Sequence, residues 1–199
     1  MTVATTSTRG ERTRAKLLDA ATTVFAANGY HATRVDDIVK AAATSHGTFY
    51  LYFPSKEALF ATLIGGAADQ MSALVEELPP TIRANAAGRE ALRNWVGQFV
   101  TRYQELAPIL RVWTESELTG GAVAELGDEL LGGLARALAE RVQIPARAGI
   151  DPQSLTIATL PLVAMCERLL YYAGTGQFRA TADELADTLS EIVIDALLS

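Results

Sequence analysis

The sequence predicts an all-α fold, and three observations lead to this prediction. Apolar residues recur at intervals of three and four along most of the chain, as at Leu17, Ala21 and Phe25, which share one face of an α-helix. No segment keeps the two-residue alternation of a half-buried strand for long. Glycine and proline residues divide the periodic segments, so the sequence predicts about nine helices joined by short connections.

The first two helices are defined by their ends. The first spans residues 10–28, because Asn28 and Gly29 both tolerate the left-handed conformation that commonly ends a helix. The second begins after Thr33, whose side chain can cap it, and Asp36 suits the positive end of the helix macrodipole. Its apolar residues extend only as far as residue 42, so this helix is about two turns long.

The later helices follow from caps, periodicity and breaks. Ser45 is a suitable N-cap for a third short helix. The fourth helix is long and amphipathic and ends at two consecutive prolines, which cannot continue it. From the third onward, the helices are predicted at residues 46–52, 55–78, 88–105, 108–118, 121–143, 153–173 and 181–198.

Composition excludes several classes of protein. Hydrophobic residues make up 49% of the 199 residues and charged residues 20%, which is typical of a globular chain. The longest apolar stretch is interrupted by Glu167 and Arg168, so no membrane partner is expected. The N-terminal residues lack the apolar core of a signal peptide, and Cys166 is the only cysteine. We therefore expect a cytoplasmic protein without disulfides.

The net charge of −6 conceals an asymmetry between the two parts of the chain. Residues 1–60 carry a net charge of +2, and the remaining residues carry −8. All three lysines lie within the first 56 residues. A small basic region on a larger acidic one fits a protein that contacts DNA with its N-terminal part and performs another task with the rest.

The second and third helices have the spacing of a helix-turn-helix, which we predict at residues 34–53. About three residues join them, and in this motif the second helix of the pair enters the major groove. The hydroxyls of that helix can reach phosphates, His46 can meet a base edge, and Gly47 lets the backbone approach closely. Lys56 is unfavourable in the first turn of a helix unless a phosphate lies there, although a solvated lysine is the simpler alternative.

These residues carry a resemblance to a known family. The run Leu17-Leu18-Asp19-Ala20-Ala21, Phe25, Gly29-Tyr30, Ala32-Thr33, Asp37-Ile38, Gly47-Thr48-Phe49-Tyr50, Tyr52-Phe53 and Ser55-Lys56-Glu57-Ala58-Leu59 resembles the DNA-binding domain of TetR-family repressors. The resemblance implies a homodimer that binds a near-palindromic operator in double-stranded DNA and releases it on binding a ligand. It implies DNA contacts at Thr33, Arg34, Thr44, Ser45, His46, Gly47, Thr48, Tyr50, Tyr52 and Lys56.

The resemblance also implies a division of the chain. We expect a disordered tail at residues 1–8, a DNA-binding domain at 9–56, and a helical regulatory and dimerisation domain at 57–199.

Two positions depart from the family pattern. Ala43 and Thr44 stand where the family usually has Gly-Val, and Ala43 would cost roughly 1 kcal/mol if the turn needs positive φ. His46 stands where lysine is common, so the base preference stays open.

Residues after about position 60 resemble the family in layout only. Their aromatic and sulfur-containing side chains can line an apolar pocket for a small hydrophobic effector, or they can simply fill the core. The residues predicted to line that pocket are Trp95, Phe99, Tyr103, Leu110, Trp113, Met165, Cys166, Leu169 and Tyr172. The last two helices can pair with those of a second subunit to form a four-helix bundle.

Two other functions were weighed against this one. An enzyme is disfavoured, because the only two histidines, His31 and His46, lie in the predicted DNA-binding domain and no catalytic or cofactor-binding motif occurs. No metal site or cofactor is expected, since no histidine and cysteine cluster has ligand spacing. The second alternative is a DNA-binding regulator controlled by a protein partner and without a small-molecule ligand.

Overall fold

A computed structural model describes residues 8–115, 122–143 and 151–198 of the chain. Within these ranges the chain forms eight helices and one pair of two-residue strands. The helices are α1 (Arg9–Ala32), α2 (Val35–Ala41), α3 (His46–Tyr52), α4 (Lys56–Glu76), α5 (Ala86–Glu115), α6 (Ala122–Arg141), α7 (Pro152–Gly174) and α8 (Ala182–Leu198). The predicted all-α fold is therefore confirmed. The predicted tail up to residue 7 and the connections at 116–121 and 144–150 lie outside the described residues.

One predicted boundary is wrong. The helices expected at 88–105 and 108–118 form a single helix, α5, with Pro108 inside it. Proline removes one backbone hydrogen bond from a helix, but Pro108 and the residue four positions earlier are both exposed, so water can satisfy the freed carbonyl. Ile109, Leu110 and Val112 are buried directly after the proline, and their packing favours continuation of the helix.

The ends of α1 show how local residues define this helix. Thr8 caps the helix, because its hydroxyl accepts a hydrogen bond from the backbone N–H of Glu11 at 3.2 Å. The Glu11 carboxylate accepts in return from the Thr8 backbone N–H at 2.6 Å, which completes a capping box. Gly29 has φ 75° and interrupts the helix near its end, as the sequence predicted.

The strands β1 (Ile82–Arg83) and β2 (Val142–Gln143) pair in parallel, with Ile82 beside Val142. Gly88 lies close to this pair, in the first turns of α5. A Cβ atom at position 88 would lie 2.1 Å from the carbonyl oxygen of Arg83, so only glycine fits there. The side chain of Asn85 accepts a hydrogen bond from the Gly88 N–H at 2.9 Å and thereby caps α5.

The described chain divides into two compact units. Unit 1 holds residues 8–66 and 108–115, and unit 2 holds residues 67–107, 122–143 and 151–198. The division falls inside α4, after the boundary predicted at residues 56 and 57. The core of unit 1 centres on Phe25, whose ring lies 5.0 Å from that of Phe60, and includes the fully buried Phe49. Arg111 joins α5 to α1 within this unit, donating to the Ala26 carbonyl at 2.9 Å.

Unit 2 is a helical bundle with its own apolar core. Leu92, Val100 and Leu189 are almost completely buried there. Arg141, in the last turn of α6, donates hydrogen bonds to the carbonyls of Val75 and Leu78 at 2.9 and 2.7 Å. These carbonyls lie at and just beyond the end of α4, and that of Val75 also accepts the Leu78 N–H at 3.3 Å, so Arg141 adds to the hydrogen bonds that close this end.

Two helices are long and apolar enough to cross a membrane when judged by length and composition alone, namely Lys56–Glu76 and Gln153–Gly174. Buried helices of globular proteins often meet the same criterion, so this is weak evidence for a membrane protein. The two helices differ in their surroundings. The apolar window of α4 is 39% buried within the chain, whereas that of α7 is only 17% buried. Helix α7 therefore has apolar surface that the described part of the chain leaves uncovered.

Candidate nucleic-acid interface

The turn between α2 and α3 is closed by two backbone hydrogen bonds. The N–H of Ala43 donates to the carbonyl of Lys40 at 3.1 Å, and the N–H of Thr44 donates to the carbonyl of Val39 at 2.9 Å. This pair of bonds is the Schellman motif, which requires a left-handed residue after the helix and usually has glycine there. Ala43 takes that conformation, with φ 45°. The strained alanine predicted from the sequence is therefore present.

Helix α3 begins at the predicted cap. The Ser45 hydroxyl oxygen accepts a hydrogen bond from the N–H of Thr48 at 3.2 Å and lies 3.0 Å from the Thr48 hydroxyl. The cap of α2 differs from the prediction. Arg34, and not Thr33, is the N-cap residue, and its backbone N–H donates to the Asp37 carboxylate at 3.0 Å. Asp37, and not Asp36, therefore satisfies the N-terminus of α2.

Helix α3 has an inner and an outer side. Phe49 and Phe53 face inward and are buried, and their rings lie 6.0 Å apart. On the outer side, His46 and Tyr50 are exposed, with ring centroids 6.5 Å apart. Leu51 is 77% exposed, which is unusual for a large apolar side chain. The exposed side of α3 thus combines hydroxyl, imidazole and apolar groups, the chemistry that base edges and phosphates accept.

The end of α1 is held by Lys56. Its ammonium group donates hydrogen bonds of 2.9 Å to the carbonyls of Tyr30 and Thr33 and lies 4.4 Å from the centre of the Tyr30 ring. Two of its three N–H donors are thereby used within the chain, which leaves one for a phosphate. The sequence suggested either a phosphate contact or a solvated side chain for Lys56, and neither interpretation included these hydrogen bonds within the chain. The Thr33 side chain is 1% exposed, and its hydroxyl donates to the Gly29 carbonyl at 2.7 Å.

Tyr30 and Glu57 form a second contact at this place. The Tyr30 hydroxyl donates to the Glu57 carboxylate at 3.3 Å. Burial, followed by the nearby Glu57 charge, raises the pKa of Tyr30 to about 12, so the phenol is neutral and acts as a donor. Hydrogen bonds from its own backbone N–H and from Ser55 lower the pKa of Glu57. The charged groups of Lys56 and Glu57 therefore both serve to hold α4 against α1.

Asp36 and His46 join the outer sides of α2 and α3. The Nε2 atom of His46 lies 2.5 Å from an Asp36 carboxylate oxygen, and both side chains are exposed to solvent. The sequence predicted only that Asp36 suits a helix N-terminus, and the predicted site did not include Leu51. Leu51 could have been found, because an apolar residue two positions from the inward Phe49 and Phe53 must face outward.

The predicted DNA-contact residues form one group in unit 1. Around the turn and α3, the exposed members of the group are Arg34, Ser45, His46, Gly47 and Tyr50, and the half-buried ones are Thr44, Thr48, Tyr52 and Lys56. Thr33 alone is buried. The role of each as a DNA contact stays a prediction.

The residues predicted to line an effector pocket fall in both units. Trp95, Phe99 and Tyr103 lie along α5 with successive ring centroids 5.4 and 6.5 Å apart. Leu110 and Trp113 belong to unit 1, whereas the other seven belong to unit 2. Cys166 and Leu169 are half-buried, and burial raises the pKa of the Cys166 thiol to about 11. Met165 and Tyr172 are exposed.

Polar contacts fix two members of this set. The indole N–H of Trp95 donates to the Leu74 carbonyl at 2.8 Å. The Tyr103 hydroxyl donates to the Glu167 carboxylate at 3.2 Å, and burial, together with the Glu167 charge, raises the pKa of Tyr103. Glu167, whose partner was open from the sequence, is thus paired across α5 and α7. The Arg168 guanidinium lies 5.1 Å from the Tyr171 ring on the exposed side.

A cavity of about 600 Å³ lies elsewhere in unit 2, between α4, α5 and α8. Its lining is largely polar and includes the charged residues Glu77, Arg93, Arg102, Glu105 and Asp183. None of the nine residues predicted to bind an effector lines it. The apolar pocket therefore stays a prediction from the sequence.

Two short helices joined by a tight turn, with an exposed polar side on the second, define a helix-turn-helix protein. Comparisons with known proteins show which proteins the chain is similar to. The family model described as bacterial regulatory proteins, tetR family, matches residues 17–63. The HTH-type transcriptional regulator EthR of Mycobacterium tuberculosis is 27% identical over 169 residues, which cover 82% of this chain and 76% of EthR. The chain is therefore similar to TetR-family regulators, and the family model itself is matched over residues 17–63.

Two further comparisons describe the extent of the similarity. The HTH-type transcriptional regulator YdgC of Bacillus subtilis is 43% identical over 70 residues, which cover 35% of this chain and only 36% of YdgC. This similarity thus spans only about a third of that relative's length. The transcriptional regulator FadR from Bacillus subtilis, solved in complex with stearoyl-CoA, has the same fold, with a TM-score of 0.65 over 92% of this chain and 98% of FadR at 18% identity. These proteins are transcriptional regulators and not enzymes.

Proposed function

We propose that this protein is a transcriptional repressor that acts in the cytoplasm and binds a near-palindromic DNA operator as a homodimer. In this proposal a small apolar or aromatic effector releases it from DNA. The observation that carries the proposal is the exposed side of α3, which presents His46, Tyr50 and Leu51 beside the Ser45 cap. The match of residues 17–63 to the model of a family of bacterial regulatory proteins supports it.

In the proposed DNA interface, different residues contact the bases and the phosphates. The N-terminal part of a recognition helix contacts base edges, and flanking groups contact phosphates. We assign base contacts to His46 and Thr48 and phosphate contacts to the hydroxyls of Tyr50 and Tyr52, to Arg34 and to the third N–H of Lys56. Leu51 joins this set, because an exposed apolar side chain there can meet a thymine methyl group.

The apolar surface of α7 supports the proposed homodimer. Its exposed side carries four large apolar residues at helical spacing, which are Ile157, Leu160, Met165 and Tyr172. Exposed apolar side chains grouped on one side of a helix commonly mark an interface. In α8, by contrast, Leu185, Leu189 and Val193 are already buried within the chain. We therefore propose that α7 supplies most of the apolar contact and that α8 contributes its exposed acidic side.

The nature of the effector is proposed from a relative and from the aromatic residues of α5. FadR binds an acyl-CoA, an apolar chain with a polar head. The Trp95, Phe99 and Tyr103 side chains offer apolar surface for such a ligand, and the Tyr103–Glu167 pair offers a polar group. Thermal-shift measurements with stearoyl-CoA and with a panel of small aromatic compounds test this, since a ligand of the native state raises its stability. Absence of any shift would favour control by a protein partner.

The DNA-binding part of the proposal is tested by selection. Purified full-length protein is mixed with a pool of randomised duplexes, and bound molecules are sequenced over several rounds. We expect enrichment of one inverted repeat, with affinity that falls steeply as salt rises because phosphate contacts release counterions. Enrichment of no sequence, or binding without salt dependence, would contradict the proposed function.

A further inference from the structure

The contact between Asp36 and His46 lies on the surface proposed to meet DNA. Asp36 is in the first turn of α2, and His46 is the first residue of α3. The His46 Nε2 atom lies 2.5 Å from the Asp36 carboxylate, although the side chains are 53% and 71% exposed. Asp36 is not needed to cap α2, because Asp37 already accepts the hydrogen bond of the Arg34 N–H. The Asp36 carboxylate is instead engaged with the imidazole.

This contact determines which atom of the imidazole carries a hydrogen. An ionised carboxylate only accepts hydrogen bonds, so a contact of this length requires a proton on Nε2. A neutral imidazole carries one proton, and Nδ1 then has a free lone pair. Asp36 thus occupies the donor of His46 and leaves an acceptor for other partners.

That acceptor restricts what His46 can recognise. In the major groove, the exocyclic amino groups of adenine (N6) and cytosine (N4) are the hydrogen-bond donors, whereas guanine N7 and O6 and thymine O4 are acceptors. An unrestrained histidine can approach either kind of group. With its Nε2–H engaged by Asp36, a neutral His46 can pair only with an amino group, through the Nδ1 lone pair.

We infer that Asp36 is a positioning residue which makes His46 a reader of the amino group of adenine or cytosine in the major groove. The inference rests on the proposed DNA binding and adds a specificity rule to it. It also accounts for a negative charge on a surface that approaches phosphates, where an acidic side chain alone weakens binding. Asp36 acts through His46 and touches no base itself.

The first test needs no DNA. The chain has only two histidines, so ¹⁵N NMR of the imidazoles resolves them, and a His31→Asn variant assigns the signals. At pH 8 we expect His46 in wild-type protein to be a single tautomer with the proton on Nε2. In an Asp36→Ala variant we expect a mixture of tautomers. A proton on Nδ1 in the wild type, or identical tautomer populations in both proteins, would overturn the inference.

The second test uses the duplex obtained by selection. A His46→Ala variant identifies the base pair at which preference is lost. The adenine or cytosine there is then replaced by an analogue that lacks the exocyclic amino group. We expect wild type to lose about tenfold in affinity, since one good base contact discriminates by roughly that factor or more. The His46→Ala variant should lose less than twofold, and Asp36→Ala should lose less than wild type, because only one of its two His46 tautomers accepts from the amino group.

A matched control separates positioning from charge. Asp19 is exposed on α1, and Asp19→Ala removes the same charge from unit 1 without touching His46. This variant should remain as sensitive to the missing amino group as wild type. Full sensitivity in Asp36→Ala, or none in wild type, would overturn the inference while DNA binding stands. Failure of the wild type to select any sequence would overturn the proposed function together with this inference.

Discussion

The Nζ atom of Lys56 lies 2.9 Å from the carbonyl oxygen of Thr33, and its hydrogen bond joins the start of α4 to the end of α1. Lysine in the first turn of a helix opposes the helix macrodipole. Here the ammonium group instead meets carbonyls at the end of another helix, where a cation is favourable. The position of Lys56 therefore has a structural reason within the chain, in addition to any role toward a phosphate.

Replacement of Lys56 by alanine should affect both stability and DNA binding. Loss of two hydrogen bonds from a half-buried ammonium group should lower the free energy of unfolding by about 1–2 kcal/mol. If the third N–H meets a phosphate, the slope of log affinity against log salt should fall by about 1. Urea titration and salt-dependent binding measure the two effects. Lys16→Ala, which removes an exposed lysine of α1, is the control for stability, and equal stability of the two variants would contradict this account.

Ala43→Gly should make the protein more stable. The left-handed conformation at φ 45° is unfavourable for alanine and accessible to glycine, so we expect a gain of about 0.5–1 kcal/mol. The measurement is the urea midpoint at constant slope. Ala41→Gly, in the neighbouring helical turn, should instead lose about 1 kcal/mol. A loss of stability in Ala43→Gly like that in Ala41→Gly would show that the turn is not strained.

Ala43 and Lys56 also show which features of the site can be predicted from the sequence and which cannot. The Ser45 cap and the strained Ala43 were predicted, because caps and turns depend on residues within a few positions of each other. The Lys56 contacts and the Asp36–His46 pair were missed, since both depend on how separate helices pack. The break expected at Pro108 is absent for a related reason. Burial of the residues after the proline outweighs its local preference.

Gly88→Ala should destabilise the protein strongly. The added Cβ atom would lie 2.1 Å from the carbonyl oxygen and 2.8 Å from the nitrogen of Arg83, so the backbone would have to move. We expect a loss of about 3 kcal/mol, at the upper end of the range for overpacking. Gly97→Ala, also in α5, adds a Cβ that meets no atom within 4 Å and should be neutral or stabilising. Thermal unfolding of both variants measures the difference, and similar melting temperatures would refute the close approach.

Ile157→Asp should dissociate the proposed homodimer. Ile157 is 63% exposed in a single chain, and a two-fold interface would contain it twice. Loss of one buried apolar side chain costs about 1.5–3 kcal/mol, so the dissociation constant should rise by about two orders of magnitude or more. Sedimentation equilibrium at micromolar concentration measures this. Phe178→Asp, which changes an exposed apolar residue between α7 and α8, should leave the dimer intact, and a monomeric wild-type protein would contradict the proposal.

The central claim is that the exposed side of α3 recognises DNA, and footprinting on the DNA that flanks the protein's own gene tests it most directly. The account predicts that wild-type protein protects a near-palindromic site. It predicts that His46→Ala, a substitution at an exposed position, protects this site only at about tenfold higher concentration, because one base contact is lost, while salt-sensitive binding to any duplex remains. Protection by His46→Ala of the same site at the same concentration would contradict the claim.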